Sequence, residues 1–126
     1  MEKEDFTKPI TKPYWMIHTV GDKYHPTISH THGLCRGGHL ELELNLPLIQ
    51  KQAMDILNTI AFEIANGKTF KDNDVDNTLL TCSIVFKETK PVYGDEDDKV
   101  LRVILPDSNF VFPWEDGCEE PYKSQI

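Results

Sequence analysis

The sequence predicts an α+β fold, in which one long amphipathic helix packs on one face of a largely antiparallel sheet of five or six strands. Two observations predict it. Residues 39–46 alternate between polar and apolar side chains, which is typical of a strand with one buried face. Residues 49–64 then carry apolar side chains at helical spacing, so a helix there would have one apolar side.

The first strands form a predicted hairpin. Residues 14–20 and 27–34 are β-prone, and Gly21-Asp22 signals a turn between them. A second turn at residues 36–38 leads into the alternating strand over residues 39–46. In that strand His39, Glu41 and Glu43 would share one surface, while the intervening leucines point into the core.

The helix is predicted to follow Pro47 and to end at Asn66-Gly67, where glycine accepts a left-handed conformation. Residues 79–87, 100–105 and 110–114 are predicted as the remaining strands. We expect a single domain over residues 14–118, preceded by a flexible arm at residues 1–13 and followed by a tail at residues 119–126.

The charge balance argues against some partners. The chain has 13 Lys+Arg against 21 Asp+Glu, a formal net charge of -8, which opposes generic binding to nucleic acid or to acidic membranes. A compact phosphorylated ligand is still compatible, since Arg36, Lys51 or Arg102 could hold one. Three widely spaced cysteines and an acidic amino terminus without an apolar signal core favour a reducing cytoplasm.

The histidines offer a metal site as one interpretation. His30 and His32 would share a strand face, and His39 could join them across the glycine turn, with Glu41 as a general base. This hypothesis describes a hydrolase dependent on a divalent metal. Hydrogen-bonded imidazoles on a half-exposed strand are the alternative, in which no cofactor is needed.

Aromatic residues near the carboxyl end suggest a ligand contact. Phe110, Phe112 and Trp114 alternate, and we expect the two phenylalanines to belong to the core. Trp114 could instead stack on a flat ligand such as a base, and the neighbouring Glu115 carboxylate could accept a hydrogen bond from it.

Four parts of the chain carry a family resemblance. They are Thr31-His32-Gly33-Leu34; Gly38-His39-Leu40-Glu41-Leu42; the helix with Ile56-Leu57-Asn58 and Ala65-Asn66-Gly67; and Leu105-Pro106-Asp107 with Phe112-Pro113-Trp114-Glu115-Asp116-Gly117-Cys118. Over residues 17–118 the chain resembles a family of bacterial and phage proteins described as domain of unknown function 4262. The resemblance implies a small intracellular α+β domain, with His39, Glu41, Trp114 and Glu115 as candidates for a shared site. The chain departs from the family pattern at Leu40, Asn73 and Leu105, and by a short segment between residues 94 and 101.

We therefore expect a non-enzymatic cytoplasmic binding protein that forms a homo-oligomer. Its predicted ligand-binding residues are His32, Arg36, His39, Glu41, Trp114 and Glu115. Because family relatives occur in phages and other mobile elements, the expected partner is a nucleotide-type signal that the protein sequesters, or a host defence protein that it inhibits. The metal-dependent hydrolase and a protein–protein adaptor that uses a sheet edge are the alternatives.

Overall fold

The computed structural model describes residues 13–21, 27–95 and 97–126, so the predicted arm lies outside the described residues except for Pro13. The elements, in chain order, are β1 (Met16–Val20), β2 (Ile28–His32), a 3₁₀ helix (Leu34–Gly37), β3 (Leu42–Leu44), α1 (Gln50–Ala65), β4 (Val75–Asp76), β5 (Ile84–Thr89), β6 (Val100–Ile104) and a second 3₁₀ helix (Tyr122–Gln125).

The strands form a six-stranded sheet within the described residues, in the order β1-β2-β3-β6-β5-β4. Its pairs are antiparallel except for β3 and β6, which run parallel. The connection through α1, β4 and β5 provides the crossover that a parallel pair needs. The predicted α+β class is confirmed, including the largely antiparallel sheet and the one long helix of the described part.

The core lies between α1 and one face of the sheet. The helix buries five apolar residues at helical spacing against alternating apolar residues of the strands. They are Ala53, Leu57, Ile60, Ala61 and Ile64 from α1, with Leu42, Leu44, Ile84, Phe86, Leu101 and Val103 from the sheet. Since side chains alternate along a strand, the intervening residues point to the other face, which α1 leaves uncovered. We call this the open face.

Three predicted strands differ from the structure. The alternating strand is shorter than predicted and begins at Leu42. Gly38 ends the 3₁₀ helix in a left-handed conformation, so the backbone joins the sheet only at Leu42. The strand predicted over residues 79–87 lies instead at residues 84–89. Residues 110–114 were predicted as a strand but form turns.

The turns after β6 have a clear cause in the Asp107 side chain. Its Oδ1 accepts hydrogen bonds from the backbone N–H groups of Asn109 (2.8 Å) and Val111 (3.0 Å), and its Oδ2 accepts one from Glu119 (3.0 Å). A carboxylate that satisfies these N–H groups stabilises a turn in place of a strand ladder. The same contacts hold the pKa of Asp107 below its ordinary value, chiefly through the N–H of Val111.

The carboxyl-terminal residues pack on the sheet through one glutamine. The Gln125 side chain is fully buried; its Oε1 accepts a hydrogen bond from the Leu105 N–H (2.8 Å) and its Nε2 donates to the Leu105 carbonyl (2.6 Å). The amide thus pairs with the end of β6 as a neighbouring strand would. The segment predicted as a tail is therefore anchored to the domain.

Candidate functional site

A row of polar side chains crosses the open face. The strand registers place His18 beside His30, His30 beside Glu43, Glu43 beside Arg102, and Arg102 beside Lys87, on five successive strands. We call these five residues the polar row. A cavity lies toward each end of the row, one near His30 and Glu43 and the other near Arg102 and Lys87.

The first cavity has a volume of about 340 Å³ and lies between β2, β3 and the connection from β5 to β6. We call it the histidine cavity. Buried Ile28 and Val100 contribute apolar lining. Its polar lining includes His30, His32, Thr31, Cys35, Glu41, Glu43, Tyr93, Asp98 and Lys99.

Three imidazoles form a cluster beside this cavity. The rings of His18 and His30 are stacked, with centroids 5.5 Å apart. The rings of His18 and His32 are in an edge-to-face arrangement, with centroids 5.8 Å apart. Burial and then the neighbouring His18 lower the pKa of His30 below its ordinary value of 6.5. A lowered pKa favours the neutral imidazole, in which one nitrogen donates a hydrogen bond and the other accepts.

Glu41 lines the same cavity, but its carboxylate oxygens are hydrogen-bonded to other groups of the protein. Its two oxygens accept hydrogen bonds from the backbone N–H groups of Gly33 (3.0 Å), Leu34 (2.9 Å) and Cys35 (3.2 Å), and from the Thr31 hydroxyl (2.9 Å). These four contacts use about all the lone pairs of a carboxylate. Burial by itself would raise the pKa of Glu41, but the donors outweigh it and keep that pKa below its ordinary value. The carboxylate thus holds the first turn of the 3₁₀ helix.

Glu43 and Arg102 form a buried ion pair in the middle of the polar row. Arg102 Nε and Nη2 lie 2.7 and 2.6 Å from Glu43 Oε1. The guanidinium also donates to the carbonyls of Gln125 (3.1 Å) and Lys90 (3.2 Å), and Glu43 Oε2 accepts from the Val92 N–H (2.8 Å). The pair therefore ties the β5–β6 connection and the carboxyl-terminal residues to the open face, between the two cavities.

The second cavity has a volume of about 420 Å³ and contains the Trp114 indole in its wall. We call it the tryptophan cavity. Trp114 stacks on Phe112 with centroids 4.9 Å apart and planes 4° from parallel, and the Lys87 ammonium lies 5.7 Å from the indole centroid. Glu115, predicted as a ligand contact, accepts the Phe112 N–H through Oε1 (2.9 Å) and so closes the turn that carries these rings.

His39 lies apart from both cavities. The His39 ring is buried. Its Nδ1 lies 2.8 Å from the Leu40 carbonyl oxygen, and its Nε2 accepts a hydrogen bond from the Phe70 N–H (3.1 Å). Both ring nitrogens are therefore engaged by the backbone. His39 precedes β3, so the strand alternation that was to place it beside Glu41 does not reach it. The structure does not bring His39 to His30 and His32 as the sequence predicted.

The predicted ligand residues thus fall into three groups. His32 and Glu41 line the histidine cavity, and Trp114 lines the tryptophan cavity. Arg36, which is exposed on the 3₁₀ helix, lies outside the lining of either cavity, as do His39 and Glu115. Among residues 13–21, 27–95 and 97–126, no three histidine, cysteine or carboxylate side chains are arranged to hold a metal ion.

Sequence reasoning missed several lining residues. Tyr93, Asp98 and Lys99 come from the connection between β5 and β6, in which sequence reasoning singled out no ligand contact. Lys87 lines the tryptophan cavity from the middle of β5. An available signal was the hairpin register, since pairing of residues 16–20 with residues 28–32 places His18 and His30 side by side.

No helix in the part of the chain that the structure describes combines the length and apolar character needed to span a bilayer. Neither a curated protein nor a solved structure matches the chain. The family model described as Domain of unknown function (DUF4262) matches residues 10–119, which include β1 to β6, α1 and the lining of both cavities except Ile126. Since this match covers most of the chain, the protein belongs to the DUF4262 family.

Proposed function

We propose that this protein is a non-enzymatic binding protein whose small-molecule ligand occupies the histidine cavity. The observation that carries the proposal is a cavity of about 340 Å³ that combines apolar Ile28 and Val100 with the polar groups of His30 and His32. Sites for small ligands are commonly concave and apolar, with a few polar groups that orient the ligand.

The charges around the cavity indicate what kind of ligand fits. Glu41 is compensated by backbone N–H groups and Glu43 by Arg102, so neither carboxylate needs a cation from the ligand. Asp98 and Lys99 at the rim have opposite charges. The cavity therefore favours a polar ring compound that is neutral or carries one charge, and hydrogen bonds from the imidazoles would orient it.

A nucleoside, which is neutral, or a cyclic mononucleotide, whose phosphodiester carries one charge, is the class that matches these features best. The volume lies near the lower end of the roughly 300 to 1,000 Å³ typical of ligand pockets, which suits a single base and sugar better than a dinucleotide. Nucleobases present adjacent hydrogen-bond donors and acceptors, and a neutral imidazole can pair with either. Sequestration of a nucleotide-type signal is the biological role that this ligand class suggests.

Calorimetry against nucleosides, 5′-monophosphates and cyclic mononucleotides tests the proposal. We expect at least one compound to bind with one-to-one stoichiometry, and His30→Phe to weaken that binding roughly tenfold, because the ring stays while its hydrogen bonds are lost. Lys99→Met and Lys87→Met form a matched pair. The first removes an ammonium from the rim of the histidine cavity and the second removes one from the tryptophan cavity.

For a monophosphate ligand we expect Lys99→Met, but not Lys87→Met, to weaken binding, since Lys87 lies outside the proposed site. Absence of heat with every compound of the panel would reject the nucleotide class. Unchanged affinity of the His30→Phe variant for a compound that does bind would place the ligand elsewhere on the protein.

A further inference from the structure

The tryptophan cavity contains a half-exposed indole, that of Trp114, which the Phe112 ring supports on one face. Trp114 is 49% exposed although one ring face is stacked on Phe112 in a nearly parallel arrangement. The turn that carries both rings is closed by Glu115, and its base is held by the buried carboxylate of Asp107. A rigid aromatic surface of this kind loses little conformational entropy when a second ring stacks on it.

The rest of the cavity complements such a ring. Ile104 and Ile126 add apolar surface, and Lys87 places its ammonium 5.7 Å from the indole centroid while donating a hydrogen bond to Asn73. Arg102 also lines the cavity, but Glu43 compensates its charge. Lys87 is thus the cation available to a ligand. Its ammonium lies over the indole, and because the side chain is long and flexible it can move to the edge of a ring that stacks there.

We propose that the tryptophan cavity is a second binding site, separate from the histidine cavity, for a planar aromatic ring that carries one anionic group. The ring stacks on Trp114 and contacts Ile104 and Ile126, and the anion pairs with the Lys87 ammonium. An indole, a cation and apolar walls within about 420 Å³ supply both parts of this recognition. Glu88, the carboxylate in the lining, disfavours ligands with several negative charges.

Titration with 1-naphthoate, followed by nuclear magnetic resonance of the tryptophan indole N–H groups, tests this proposal. We expect the Trp114 signal to shift and saturate. The Trp15 signal should stay in place, because that indole is buried and donates to Asn58 Oδ1 (2.9 Å), far from the cavity lining. Trp114→Leu, in which binding is followed through the signals of 1-naphthoate itself, should abolish saturable binding, and Lys87→Met should weaken it roughly threefold to tenfold.

Two comparison ligands separate the parts of the site. 1-Naphthalenemethanol has the aromatic ring but no anionic group, and cyclohexanecarboxylate has the anionic group but no aromatic ring. We expect both to bind more weakly than 1-naphthoate. Equal binding of the neutral analogue, or no shift of the Trp114 signal at millimolar 1-naphthoate, would overturn the proposal. Lys99→Met should leave 1-naphthoate binding unchanged, because Lys99 lines only the histidine cavity. Failure of 1-naphthoate to bind would therefore not bear on the ligand proposed for the histidine cavity, and failure of the nucleotide panel would not bear on the tryptophan cavity.

Discussion

At the scale of single residues, the Glu41 carboxylate holds the backbone that forms one wall of the histidine cavity. Glu41→Gln keeps the size of the side chain but replaces one acceptor oxygen by a donor, which then faces backbone N–H groups. We expect the free energy of unfolding to fall by about 2 kcal/mol, measured by urea denaturation.

Glu115→Gln is the matched control for this prediction, since Glu115 also accepts a backbone N–H but lies in an exposed turn. Its expected cost is below about 0.5 kcal/mol, as is usual for an exposed site. Similar losses in the two variants would show that the contacts of Glu41 with Gly33, Leu34 and Cys35 contribute little to stability.

The imidazole cluster predicts a pH dependence. Burial and the neighbouring His18 lower the pKa of His30 in the folded protein, whereas in the unfolded chain it returns to about 6.5. The unfolded chain therefore binds more protons just below that pH, and the free energy of unfolding should decrease as the pH falls through about 6.5. Urea denaturation between about pH 7.5 and about pH 5.5 measures this.

His18→Gln isolates the cause of the effect. Without the second imidazole the pKa of His30 lies closer to its ordinary value, so the variant should lose less stability on acidification than the native protein. The carboxylates with lowered pKa values, Glu41 and Asp107 among them, lose their stabilising contribution only at lower pH. Greater stability at about pH 5.5 than at about pH 7.5 would contradict the prediction.

At the scale of elements, local periodicity predicted the helix well and the strands less well. The helix was predicted to follow Pro47 and to end at Asn66-Gly67, and it runs over Gln50–Ala65. The prediction succeeded because the apolar repeat of the helix extends over four turns and involves only neighbouring residues. The strand predicted at residues 110–114 has an alternating pattern too. There the Asp107 side chain and the turn it stabilises prevail over a pattern of only five residues.

The turn after β6 contains an unusual backbone conformation at Phe110, with φ of 63°. This left-handed region costs a bulky residue about 1 to 2 kcal/mol, and the Phe110 side chain is 69% exposed, so it regains little by burial. Phe110→Gly should therefore raise the free energy of unfolding by about 0.5 to 1 kcal/mol, measured by urea denaturation.

Phe112→Gly serves as the control, because Phe112 stacks on Trp114 and its substitution removes that contact. This variant should lose stability. If Phe110→Gly were also destabilising, Phe110 would have to make favourable contacts that offset the strain of its backbone.

At the scale of the whole molecule, the candidate site could be predicted only in part. The strand alternation places Glu41 and Glu43 on the open face, and the family resemblance singled out Trp114. The two separate cavities depend on how the β5–β6 connection and the carboxyl-terminal residues cross that face. These are contacts between residues far apart in sequence, such as Arg102 with Lys90 and with Gln125, and no local pattern records them.

These distant segments meet at the Glu43–Arg102 pair, so its loss should affect the molecule as a whole. Arg102→Met leaves the Glu43 carboxylate buried without a cation, and we expect the free energy of unfolding to fall by about 3 to 5 kcal/mol. The double variant Arg102→Met with Glu43→Met removes that uncompensated charge. It should be more stable than the Arg102→Met single variant by about 1 to 2 kcal/mol.

Lys68→Met is the control for this cycle, since Lys68 pairs with Asp76 at 3.6 Å but its side chain is 45% exposed. Its expected cost is at most about 1 kcal/mol, because water screens an exposed pair. Urea denaturation of Arg102→Met, Glu43→Met, the double variant and Lys68→Met, each compared with the native protein, measures the cycle. A loss in Arg102→Met no larger than in Lys68→Met would mean that the segments crossing the open face are held by their apolar contacts, and that the two cavities do not depend on the ion pair between them.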